Sequence, residues 1–118
     1  MSVLSHFSVV SFPWGRTPPR VEDVVAVARR AEELGFHSVN LPLVDVITPR
    51  PGGPFAKFGN SYTLDALVLL PAMVMATQRI RVAVDAIPLF LLPPFAWAKY
   101  FASLDVVSRG RVIVGMCL

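Results

Sequence analysis

The hydrophobic pattern of the chain changes its period several times. Short runs of β-branched and aromatic residues, typical of strands, occupy residues 6–13, 37–44, 79–87 and 111–118. Between these runs, apolar residues recur every three or four positions, as they do along amphipathic helices. The clearest helical stripe is formed by Val21, Val24, Val25, Ala28, Ala31 and Leu34. The pattern predicts four strands and three helices in the order β-α-β-α-β-α-β.

Proline, glycine and hydroxyl residues mark the expected helix ends. Pro18 suits the first turn of the first helix, and Gly35 supplies its left-handed stop. Thr63 is expected to cap the second helix, residues 64–78, and Pro94 to open the third. The second helix is apolar on nearly every side, so we expect it to be buried on more than one side.

The regular alternation of strands and helices predicts a parallel sheet. A flavodoxin-like sheet would need helices on both faces, and residues 12–19 would have to serve as its phosphate loop. A (β/α)8 barrel takes about 250 residues. We therefore predict an α/β fold in which residues 1–118 form a single partial domain, the first half of a TIM barrel with four strands and three helices. The last strand should be buried on both faces.

The composition narrows the class of protein. Hydrophobic residues make up 54% of the chain and charged residues 16%, whereas average soluble domains are about 25% charged. The longest apolar window, residues 82–100, is interrupted by Asp85 and by prolines, so no membrane span is expected. The amino terminus lacks the pattern of a signal peptide. The arginines are scattered rather than clustered, which argues against a nucleic-acid partner.

The lone cysteine and the excess of apolar residues bear on compartment and partners. Cys117 suits a reducing compartment, so a cytoplasmic location is expected, and it should be a small buried hydrophobe rather than a catalytic thiol. The apolar excess predicts large buried interfaces. These would lie either with a missing C-terminal half of the barrel or with a second copy in a homodimer.

Three segments resemble the luciferase-like monooxygenase family. They are Ala31-Glu32-Glu33-Leu34-Gly35-Phe36, Thr77-Gln78-Arg79-Ile80-Arg81, and Ser103-Leu104-Asp105 leading to Gly110-Arg111. The similarity extends from about Val21 to Met116. It implies a barrel oxidoreductase that uses FMN or the deazaflavin coenzyme F420, without a metal, on a small organic substrate. In such an enzyme the cofactor supplies the chemistry and the protein orients it.

Candidate site residues lie at the carboxyl ends of the strands, where barrel enzymes place their active sites. The resemblance implies a cofactor wall formed by Asn40, Leu43, Val44, Val84 and Ala86. Leu43 and Val44 stand where the family usually has an acidic residue and a histidine. Asp85 is the ionisable group in this region and the candidate catalytic acid or base. The alternative is that Asp85 forms an ion pair with Arg81, which shares its strand face.

Two functions remain open from the sequence. The first is a flavin- or deazaflavin-dependent oxidoreductase or monooxygenase. The second is a truncated, non-catalytic half barrel that persists only as an oligomer, joined edge to edge or through its second and third helices.

Overall fold

A computed structural model describes residues 8–10, 14–15, 17, 19–42, 52–53 and 62–118. The strands are β1 (Ser8–Val10), β2 (Trp14–Gly15), β3 (Ser38–Leu41), β4 (Tyr62–Thr63), β5 (Arg81–Pro88) and β6 (Val112–Cys117). The helices are α1 (Val21–Glu33), α2 (Ala66–Ala76) and α3 (Pro94–Ser108). A 3₁₀ turn at Leu89–Leu91 connects β5 to α3.

The main sheet is parallel. Its strands lie side by side in the order β1-β3-β5-β6, which is their order along the chain. The predicted β/α alternation and parallel pairing are therefore confirmed. A flavodoxin-like sheet would instead place its second strand outside its first. A separate two-stranded antiparallel ribbon, β2 with β4, was not predicted from the sequence.

The three helices pack on one face of the main sheet. Their buried residues join the helix-facing side chains of β3 and β5 in one hydrophobic cluster, which includes Val39, Leu41, Val82, Val84 and Ile87. Val112 and Val114 of β6 pack against its margin. Helices on a single face are the arrangement of a barrel wall, and among the described residues they do not fit the doubly wound alternative.

The second helix begins later than predicted. Thr63 belongs to β4, so the prediction that it caps α2 is wrong. Asp65 is the capping residue, and its Oδ1 accepts a hydrogen bond of 2.7 Å from the backbone N–H of Leu67. The exposed side of α2 carries Val68 and Met75, so burial on more than one side is also wrong for the described structure.

Strand β6 is less buried than its sequence suggests. Val112 and Val114 are half-buried, whereas Met116 and Cys117 are exposed. The prediction of burial on both faces, and of a buried Cys117, is therefore wrong. β6 is exposed because it lies at the edge of the sheet and pairs with β5 alone within the described part of the chain. No helix in this part has both the length and the apolar character to cross a membrane.

Arg111 joins the amino-terminal end of the sheet to the ends of two helices. Its guanidinium donates to the carbonyl oxygens of Ser108 at 2.8 Å, Val74 at 2.9 Å and Ile80 at 3.0 Å. It also donates to the hydroxyl of Thr77 at 3.0 Å. Arginine suits this position because its planar fork presents several donors in fixed directions. The Gly110-Arg111 motif is thus structural here.

Glu32 makes a second link at the same end of the sheet. Its carboxylate accepts backbone hydrogen bonds from Gln78 at 2.9 Å, from Arg79, and from Ile80 at 2.9 Å. Burial raises the pKa of Glu32, but these three N–H donors outweigh burial and hold the pKa below its usual value. The side chain therefore ties α1 to the turn that leads into β5.

Candidate functional site

The face of the main sheet opposite the helices is defined by strand alternation. Successive strand side chains point to opposite faces, and Val39, Leu41, Val82, Val84, Val112 and Val114 pack toward the helices. The alternate residues form what we call the inner face: Ser38, Asn40, Ala83, Asp85, Ile113 and Gly115. In a complete barrel this face lines the interior.

The strand register sets the levels of the inner face. Asn40 pairs with Ala83, and Ala83 pairs with Ile113, so these three lie at one level. Asp85 and Gly115 lie two residues nearer the carboxyl ends of their strands, where the β5–β6 register shifts between Val84 and Ile87. Strand geometry puts the Cα atoms of Asn40 and Asp85 about 8 Å apart. Asn40 and Asp85 thus lie nearer than Ser38 to the end where barrel sites are found.

Asp85 presents an exposed carboxylate without a hydrogen bond or ion pair to any described residue. The alternative of an ion pair with Arg81 is wrong. Four strand residues span about 13 Å, so the two side chains share a face, but Arg81 begins β5 whereas Asp85 lies near its middle. The Arg81 Nη1 instead lies 2.7 Å from the Nε2 of His37.

Gly115 lies directly against Asp85. A Cβ atom on Gly115 would be 2.5 Å from the Oδ1 of Asp85 and 3.2 Å from its Cγ. The carboxylate therefore occupies the space that a side chain at position 115 would need. Sequence reasoning did not assign Gly115 to the site, although a glycine inside a strand often marks a close approach by another group.

The other candidate residues differ in their exposure and in the face of the sheet on which their side chains lie. Asn40 is half-exposed on the inner face, and its Oδ1 accepts a hydrogen bond of 2.8 Å from the Ser38 hydroxyl. The Val84 side chain is fully buried among the helices, so it contributes only backbone to the inner face. Ala86 is half-exposed, and the peptide bond between Asp85 and Ala86 is cis. Leu43 and Val44 lie outside the described residues.

Two cavities lined by described residues lie at the opposite, amino-terminal end. One of about 160 Å³ lies between the ends of α2 and α3, beside Met75 and Val107. The other, of about 230 Å³, adjoins Glu32 and His37. Arg111 lines the first cavity and Glu32 lines the second, and both side chains make the hydrogen bonds between helices and strands described above. Within the described segments, no three His, Cys, Asp or Glu side chains form a group that could bind a metal.

The parallel four-stranded sheet with all its helices outside is part of a (β/α)8 barrel, and its carboxyl-end inner face is the region that such barrels use for catalysis. A family model described as luciferase-like monooxygenase matches residues 1–117. The chain therefore belongs to the luciferase-like monooxygenase family, whose members include flavin- and F420-dependent oxidoreductases.

Two individual proteins agree with this family assignment, and a third shares the fold. An F420-dependent glucose-6-phosphate dehydrogenase from Amycolatopsis mediterranei is 34% identical over 96 residues, covering 80% of this chain. The crystal structure of a monooxygenase from Streptomyces bottropensis has a TM-score of 0.74 with 26% identity over 94% of this chain. The oxygenating component of 3,6-diketocamphane monooxygenase from Pseudomonas putida, in complex with FMN, has a TM-score of 0.73 with 18% identity over 95%.

The chain spans only part of each relative. The matches cover 26% of the dehydrogenase, 32% of the Streptomyces monooxygenase and 29% of the Pseudomonas enzyme. The four parallel strands and three helices of the described residues correspond to the first half of a (β/α)8 barrel.

Proposed function

We propose that this chain supplies the first half of the active-site barrel of an FMN- or F420-dependent oxidoreductase that acts on a small organic substrate. The observation that carries the proposal is the exposed Asp85 carboxylate on the inner face, in the carboxyl-terminal half of β5, which has no partner among the described residues. The similarity to the F420-dependent dehydrogenase and to the monooxygenases supports the reaction class.

The described residues fit a flavin or deazaflavin ring. Such a ring is planar and carries N–H groups, so it needs room above the sheet and hydrogen-bond acceptors beside it. The Asp85 carboxylate fills the space over Gly115, so a ring would lie above that carboxylate, and Asp85 and Asn40 offer acceptor oxygens on the inner face. When bound, the cofactor supplies the electron or hydride transfer.

The roles proposed for the chain's own residues follow from their positions. Asp85 would accept a proton or a hydrogen bond from the substrate, because its carboxylate is exposed and unpaired. Asn40 and the backbone at Val84 and Ala86 would border the ring. Leu43 and Val44 are proposed for the same wall on the strength of the resemblance alone.

Titration of the purified chain with each cofactor tests this function. FMN and F420 are added separately, in oxidised and reduced form, and binding is followed by their absorption and fluorescence. We expect saturable binding of one of the two cofactors. Failure of both cofactors to bind would contradict the proposal and favour the non-catalytic half barrel.

We also propose that the chain associates with a second copy through α2 and α3. Val68 and Met75 on α2 and Phe95 and Val106 on α3 are all exposed apolar side chains. Exposed apolar surface of this kind marks an interaction site. The remaining strands of a barrel would instead continue from the outer edge of β6.

Light scattering distinguishes the dimer from a monomer. The wild-type chain should have twice the monomer mass, and the Val106→Glu variant should have the mass of one chain. Val27→Glu, at an exposed apolar position of α1, is the matched control and should leave the dimer intact. A wild-type monomer at micromolar concentration would contradict the proposal.

A cytoplasmic location is proposed from the chemistry of Cys117. This thiol is free and exposed, a state that persists best in a reducing compartment. Cell fractionation tests it, and recovery of the chain in an oxidising compartment would contradict it.

A further inference from the structure

The backbone conformation at position 115 does not explain why this residue, which lies close to Asp85, is a glycine. Only Gly35, Gly52 and Gly110 have a positive φ among the described glycines, so Gly115 adopts a conformation open to any residue. Glycine inside a strand loses packing and is conformationally costly. What position 115 requires is therefore space, and the atoms nearest to a Cβ there are Oδ1 and Cγ of Asp85, at 2.5 and 3.2 Å, and the backbone oxygen of Val84, at 3.3 Å. The Asp85 Oδ1 is the closest of the three.

The shared space also fixes where the carboxylate lies. A Cβ on Gly115 would point to the inner face, because Val114 beside it packs toward the helices. Asp85 reaches that same space from β5, so its carboxylate lies across the neighbouring strand rather than out from its own. An alanine at position 115 would leave the carboxylate no room there, and Asp85 would have to rotate away.

The chemistry of a free carboxylate defines what can bind beside it. An ionised carboxylate accepts hydrogen bonds and donates none, and it repels phosphate and other anions. No described cation neutralises Asp85, since Arg81 is bound to His37 at the start of β5. The group of a ligand that faces Asp85 must therefore be a hydrogen-bond donor or a cation: a ring N–H, a hydroxyl or an amine.

We infer that Gly115 is a positioning residue that keeps the Asp85 carboxylate over β6, and that the pair forms an acceptor subsite for a donor group of the bound cofactor ring. This inference rests on the proposed function, because the subsite lies on the same inner face. It adds a residue to the site and a chemical class to its ligand: uncharged or cationic donors, with anionic groups excluded.

The positioning step is tested first, without any cofactor, by NMR. The backbone amide of residue 115 is followed as the pH is lowered through the carboxyl range. In the wild-type chain this amide should shift with the protonation of Asp85. The shift should vanish in Asp85→Asn and shrink at least two-fold in Gly115→Ala, while Asp105→Asn leaves it unchanged. If the amide resonance of residue 115 in the wild-type chain does not respond to Asp85, the inference is overturned.

The ligand step uses FMN and F420 as the probes. Gly115→Ala and Asp85→Asn should each weaken binding of the cofactor that the wild-type chain takes, by about ten-fold, which corresponds to about 1.4 kcal/mol. Asp105→Asn should bind as the wild-type chain does. Equal binding by wild type and both site variants would overturn the subsite and leave the proposed function standing. Binding of neither probe by the wild-type chain would overturn both.

Discussion

Arg111 gives the most direct test of what holds the half barrel together. Its guanidinium makes five hydrogen bonds, to the carbonyls of Ser108, Val74, Ile80 and Thr77 and to the Thr77 hydroxyl. The partners lie at the ends of α2 and α3 and at the start of β5. Replacement of Arg111 by methionine keeps most of the aliphatic length and removes every donor.

The expected loss follows from the three shortest carbonyl contacts, at 2.8, 2.9 and 3.0 Å. Hydrogen bonds to charged groups contribute about 1.5–3 kcal/mol each in net terms. Arg111 is only half-buried, so water can reach part of this network after substitution, and we take about 1 kcal/mol for each contact. Arg111→Met should therefore lower the free energy of unfolding by about 3 kcal/mol.

Urea denaturation followed by far-UV circular dichroism measures this loss at a fixed protein concentration. With a slope of about 2 kcal/mol per molar urea, the midpoint should fall by about 1.5 M. The urea midpoint of Arg111→Lys should lie between those of the wild-type chain and Arg111→Met, because an ammonium group cannot reproduce the planar fork of the guanidinium. Lys99→Met removes the same charge from an exposed site on α3 and should change stability by less than about 0.5 kcal/mol.

The result that would refute this reasoning is specific. If Arg111→Met unfolds at the same urea concentration as Lys99→Met, the guanidinium network does not stabilise the fold. The Gly110-Arg111 motif would then need another explanation.

Two further predictions concern titratable groups. Glu32→Ala should destabilise the fold by about 1–2 kcal/mol, because three backbone N–H groups lose their acceptor. Since the folded pKa of Glu32 is depressed, its contribution is complete above about pH 4.5 and is lost as the pH falls below that value, which acid unfolding of wild type and variant would show. Burial, and then the charge of Asp65, raise the pKa of Tyr100 to about 12. Tyr100→Phe should cost about 1 kcal/mol, since the carbonyl of Leu67 loses the phenol as donor. The stability due to Tyr100 should be complete below about pH 10 and decline as the pH rises toward 12, and an absorbance titration showing ionisation of Tyr100 in the folded chain near pH 10 would contradict this.

The order of the elements was predictable because it depends on local pattern. The stripe beginning at Val21 can bury one face only as a helix, and the run Val82-Ala83-Val84 has the branched and apolar character of a buried strand. Both elements occur as predicted. The antiparallel ribbon was missed because Trp14 and Thr63 pair across 49 positions, and strands of two residues leave almost no pattern in sequence.

The candidate site was predictable only in part. Asp85 was identified from the sequence as an ionisable group near the end of a strand, and the structure places it on the inner face. The ion pair with Arg81 was a reasonable alternative, but shared face does not imply contact when four strand residues span about 13 Å. The burial of Val84 among the helices, and the role of Gly115, required the positions of neighbouring strands.

The sequence by itself determined the β/α alternation and the family, because both depend on residues near one another in the chain, and the alternation in turn predicted parallel pairing. Tertiary structure decided the rest. Which strand lies at the edge determines that Met116 and Cys117 are exposed, and the adjacency of β5 and β6 brings Asp85 over Gly115 across 30 positions of sequence. The physical reason is that burial and contact between distant residues depend on how the elements pack, which no local pattern records.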